Sequence, residues 1–175
     1  MTRRSPRNLS DLTNEERSLF AEILRERIYA TITLLAVVVV LWQHPDEHQP
    51  LGTIGIMFGT VAALWLATLI ATRMSYTVIH GAADVEPKYL EAKKVASGLF
   101  APVALPIVLV LVSMTGVFTL KTALFVGMVS LVLSLFFFSV ASGRRVADNT
   151  LHLLLYSVLQ MALGIAIVLL KLAVE

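Results

Sequence analysis

Apolar and polar positions alternate in long blocks along this chain. Five uncharged stretches, Ile28–Trp42, Leu51–Thr72, Val95–Leu120, Thr122–Gly143 and Asn149–Leu170, are separated by short charged gaps. A helix needs about 20 residues to cross a hydrocarbon core of roughly 30 Å. The second, fourth and fifth stretches meet that length directly. The third has residues to spare, so its tail from Gly116 to Leu120 is expected to turn into the fourth. The first reaches only about 22 Å at the helical rise. It becomes a span if the helix continues backward through Glu26 and Arg27, with the stems of Arg25 and Arg27 along the apolar boundary and their charges among headgroups. The pattern thus predicts an all-α polytopic transmembrane bundle with spans at about 28–42, 51–72, 95–115, 120–142 and 150–171.

Basic residues orient these spans, because Lys and Arg favour cytoplasmic segments near helix ends. Arg3, Arg4, Arg7, Arg17, Arg25 and Arg27 precede the first span; Arg73, Lys88, Lys93 and Lys94 follow the second; Arg144 and Arg145 follow the fourth. These alternate segments hold twelve of the fourteen basic residues, leaving Lys121 and Lys171 for the other side. The expected protein sits in a bacterial inner membrane, with its N-terminus cytoplasmic and its C-terminus outside. Losing or gaining a span would spoil the asymmetry. The net charge of +2 is therefore a topological bias, and no nucleic-acid partner is implied. No signal peptide is expected, since the first apolar run lies far from Met1. The absence of cysteine excludes disulfides, thiolate catalysis and Cys-ligated clusters.

Residues 1–12 form a basic, polar N-terminus expected to be disordered, and residues 13–175 a single membrane domain. Thr13 and Glu16 have the spacing of a capping box. Phe20, Ile23, Leu24, Arg27 and Ile28 then share one helical face, and Glu22, Arg25 and Glu26 another. This is an amphipathic lead-in that lies on the inner surface or runs straight into the first span. Glu22 and Glu26 could also form a cation-binding pair, but each has an adjacent arginine to neutralise it. Gly52, Gly55 and Gly59 mark the second span, and the Gly55-x-x-x-Gly59 spacing permits close helix approach, either inside one chain or at a homodimer seam. Pro102 and Pro106, one turn apart, predict a kink.

Charge inside a membrane is the usual pointer to function, and on this topology every Asp, Glu, Lys and Arg falls at or beyond a span end. Gln160 is then the most polar midplane residue. It is a candidate to line a polar cavity, or to hydrogen-bond Ser130, Ser134 or Thr60. His80 and Asp84, and again Asp148 and His152, are spaced i, i+4 at the inner ends of spans two and five. If those ends adjoin, two imidazoles and two carboxylates could converge on one divalent cation. Capping by Asp148 and helix termination at Gly81 account for much of the same pattern without a metal. In the outer turn, His44, Asp46, Glu47 and His48 form a second such group, read in preference as a solvated polar loop. Phosphate-loop, zinc-protease and nucleophile-elbow motifs are missing, so neither an enzyme nor a cofactor is expected.

Two segments, Arg27–Ala36 and Leu64–Ala71, resemble the first two helices of a group of small actinobacterial integral membrane proteins of unknown function. The match rests on Arg27, Tyr29, Trp65, Leu66, Ala67 and Ala71, with Thr68 and Ile70 standing where those proteins usually have His and Tyr. The resemblance implies a fold and a membrane location only. The expectation is an accessory or scaffold subunit embedded in the lipid bilayer, as a homodimer or in a larger membrane complex. The alternative is a transporter or channel for a small solute or divalent cation.

Overall fold

A computed structural model describes residues 14–80, 98–143 and 150–174. The described residues form five α-helices and no strand: α1 (Asn14–Gln43), α2 (Pro50–His80), α3 (Ala101–Ser113), α4 (Leu120–Gly143) and α5 (Thr150–Val174). The lead-in and the first apolar stretch are one continuous helix of 30 residues. Two helices are long and apolar enough to cross a membrane, α2 over Pro50–Ser75 and α4 over Leu120–Val140. Gly98–Ser113 and Ser157–Ala173 are shorter apolar helical segments.

The connections follow from local chemistry. After α1 the chain makes a short 3-10 turn over Pro45–Glu47. Pro50 then opens α2, at a position where a missing N–H costs nothing. The backbone N–H and the hydroxyl of Thr53 both donate to the Gln49 carbonyl, at 2.9 Å and 3.2 Å. Gly116, at φ +82°, ends the α3 segment in a conformation that costs glycine little. The Thr119 hydroxyl then accepts from the Thr122 N–H at 3.3 Å, capping α4. Pro102 lies in the first turn of α3 and removes no needed donor, so only Pro106 interrupts a helix interior.

α1 is the centre of the packing. Ala30, Leu34, Leu35, Val38 and Val39 are fully buried on it, and so is Thr31. The Thr31 hydroxyl donates to the Arg27 carbonyl at 2.7 Å, which removes the cost of an unpaired polar group. Around α1, helices α2, α3, α4 and α5 pack in sequence, each against the next and each against α1. Two glycines set the closest approaches in this series. A Cβ on Gly127 of α4 would meet Pro106 of α3 at 3.5 Å, and one on Gly164 of α5 would meet Leu135 of α4 at 2.9 Å.

Candidate functional site

The two regions with functional potential are a polar cluster between α1 and α2 and the outward face of α2. The cluster begins with Glu26, in the interior of α1. Its side chain is only 14% exposed, and Oε1 lies 3.3 Å from Nη2 of the well-exposed Arg25. Its other oxygen accepts a hydrogen bond from the Thr68 hydroxyl at 3.1 Å. Thr68 lies one turn inside the uncharged stretch that ends at Thr72. Counting back from Gln43, the roughly 20 residues that a membrane crossing would need end close to Glu26. The lead-in and the span are one helix, and its register against α2 carries Glu26 inward.

Arg27 sits beside this pair without joining it. Its Nε is fully buried and has no hydrogen-bond partner among the described residues. The side chain lies against Gly98, just before α3, where a Cβ would stand 3.2 Å from Nε and 3.8 Å from Cγ. Glycine at 98 therefore makes the space that the guanidinium occupies. Arg25 pairs with Glu26, and among the described residues no carboxylate pairs with Arg27, which lies between α1 and the start of α3.

The residues singled out from the sequence fare differently. His80 closes α2 and His152 lies in the first turn of α5, but the side chains of both, and Asp84 and Asp148 altogether, lie outside the described residues. Among the described residues no group of three or more His, Asp or Glu is placed to hold a metal ion. In the turn between α1 and α2, His44 Nδ1 lies 3.7 Å from Glu47 Oε1, with both side chains well exposed. Gln160 is half-buried on α5. Its three expected partners bond within their own helices instead: Ser130 to the Gly127 carbonyl, Ser134 to Ser130 and Thr60 to Ile56.

The outward face of α2 is unusual in its texture. Gly55, Gly59, Ala63, Ala67 and Ala71 follow one another at four-residue steps, and all are exposed. A Cβ on Gly52, Gly55 or Gly59 would meet nothing within 4 Å, so the glycine ridge serves no packing inside the described chain. Ile56, Leu66 and Ile70 flank it. α2 exposes bulky side chains as well, among them Phe58 and Met74, whereas α5 exposes them along its length, among them Leu155, Leu159, Leu163, Leu169 and Leu170, and buries its glycine, Gly164. Compared with protein-family models, curated proteins and solved structures, the chain matches none.

Proposed function

We propose that this chain is an integral membrane protein of five spans, N-terminus inside and C-terminus outside, that acts as an accessory or scaffold subunit. The observation that supports this best is the contrast between its outward faces. Lipid chains solvate bulky aliphatic side chains well, and small residues in membrane helices are enriched where backbones approach closely. α5 has the first texture and α2 the second, so α2 is the docking helix and α5 faces lipid. The partner is a second copy or another membrane protein. Native mass measurement of the protein released gently from its membranes tests this. A defined assembly larger than the 19.1 kDa chain is expected. A lone monomer at every gentle condition would defeat the proposal.

A second reading, a small transporter or channel for a small solute or divalent cation, draws support from Glu26. A shielded carboxylate at the inner end of a membrane helix is costly, and such groups commonly belong to a transport pathway. Uptake into proteoliposomes that is lost in Glu26→Gln, with assembly intact, would favour it over the scaffold.

A further inference from the structure

We infer that Arg27, held against Gly98 beside the Glu26–Thr68 pair, is the anchor of a binding site for the phosphate of an anionic phospholipid in the cytoplasmic leaflet. The inference rests on the membrane topology proposed above, which puts this end of α1 at the inner headgroups.

Three features make the arrangement more than a lysine-like charge at a surface. First, Arg27 is positioned. The missing Cβ at Gly98 lets the side chain pass, and the Ile23 methyl lies 3.6 Å from the same point, so the stem runs in a slot between α1 and the start of α3. Second, it is unspent. The adjacent carboxylate of Glu26 is satisfied by Thr68 and Arg25, at 3.1 Å and 3.3 Å, and Arg27 has no ion pair among the described residues. Third, its need for a counter-charge is strong, because a guanidinium at an apolar boundary, with one nitrogen already buried and unpartnered, is expensive to leave without an anion at its terminal nitrogens.

A phosphate answers that need best. Guanidinium and phosphate pair through two parallel charge-assisted hydrogen bonds, a geometry an ammonium cannot reproduce. The donors of choice are the terminal nitrogens, since Nε is sealed against the Gly98 backbone. Among the described residues, the other charged groups near this end of α1 and α2 are Glu22, Arg25, Glu26 and Arg73. Arg25 and Glu26 compensate one another, and Glu22 and Arg73 are exposed. The cytoplasmic leaflet carries the anionic lipids, and basic positions between helix ends on that side bind their headgroups. An acyl-anchored phosphate also arrives at the correct depth, which free phosphate must reach against the apolar boundary.

The test is a titration of the purified full chain with phosphatidylglycerol, read as lipid-bound species by native mass spectrometry. Phosphatidylcholine and inorganic phosphate serve as separate arms. The wild type is expected to retain one tight phosphatidylglycerol, and Arg27→Gln to weaken it about tenfold. Arg27→Lys should fall between them, and Arg73→Gln, which removes an exposed charge at the same end, should change binding by less than about twofold. Gly98→Ala, whose methyl crowds Nε, should weaken the same lipid without removing any charge. Unchanged binding in both Arg27→Gln and Gly98→Ala would overturn the site. Equal retention of phosphatidylcholine, or displacement of the lipid by millimolar phosphate, would overturn its lipid specificity. Release of the protein from membranes by an alkaline wash would instead overturn the topology on which the site rests.

Discussion

Replacing Gly164 by alanine puts a carbon 2.9 Å from Leu135 Cδ1, 3.8 Å from Val132 Cγ2 and 3.9 Å from Leu35 Cδ2. The first contact is well inside the roughly 3.5–4.0 Å optimum for carbon pairs. Leu135 is 1% exposed, so its methyl can turn away only by displacing neighbours. Overpacking of this kind costs about 1–3 kcal/mol. Against it, alanine is about 1 kcal/mol better than glycine in a helix interior. Gly164→Ala is therefore expected to destabilise the fold by roughly 0–2 kcal/mol. Gly59→Ala makes the same backbone change with nothing of its own chain within 4 Å of the new carbon, so it should stabilise the isolated, monomeric chain by about 1 kcal/mol. The gap between the two variants cancels helix propensity and isolates the α4–α5 contact. Unfolding in mixed micelles, followed by tryptophan fluorescence, measures it. Leu135→Val, which lacks the crowded Cδ1, should recover part of the loss in the Gly164→Ala background. If Gly164→Ala is as stable as Gly59→Ala, α4 and α5 do not approach as described.

Thr68→Val removes the hydroxyl donor to Glu26 and should cost about 1–2 kcal/mol, while Thr68→Ser should keep most of it. A double-mutant cycle with Glu26→Ala measures the coupling, and a value near zero would contradict the pair. At the opposite end, the Lys121 ammonium lies 5.6 Å from the centroid of the Trp42 ring. Lys121→Met should cost about 0.5–1 kcal/mol. It should also shift the Trp42 emission when measured in a Trp65→Phe background, whereas an unmoved spectrum would argue against the contact.

Much of the helical architecture was legible because apolar runs and their breakers act locally. Leu51–Thr72 falls inside α2, and Gly116 and Thr119 mark the turn into α4 as their backbone chemistry requires. The extent of α2 was legible only in part: its uncharged stretch stops at Thr72, although Gly81 offered a terminator directly after His80. The helix continues past Arg73 to His80, since a helix satisfies its own backbone wherever its side chains lie. Pro102 and Pro106 look alike in the sequence, and only the helix start makes the first harmless. The glycine ridge was visible, but the side it faces depends on how α2 rolls against α1 and α3. Gln160 was assigned hydroxyl partners that reach their own i−3 and i−4 carbonyls first. Glu26 was hidden for a different reason. Its neighbours Arg25 and Arg27 mark it as surface, and the contact with Thr68 exists only through tertiary register.

The central claim is that α2 docks on another membrane helix. Single cysteines introduced into a chain that has none test it without background. Ile56→Cys and Leu66→Cys on α2 would be compared with Leu159→Cys and Leu163→Cys on α5, using a short bifunctional thiol reagent in intact membranes. The account predicts a discrete adduct from the α2 positions only, abolished by Gly55→Leu with Gly59→Leu while the isolated chain stays as stable as before. Equal adducts from α2 and α5, or none from α2, would contradict it.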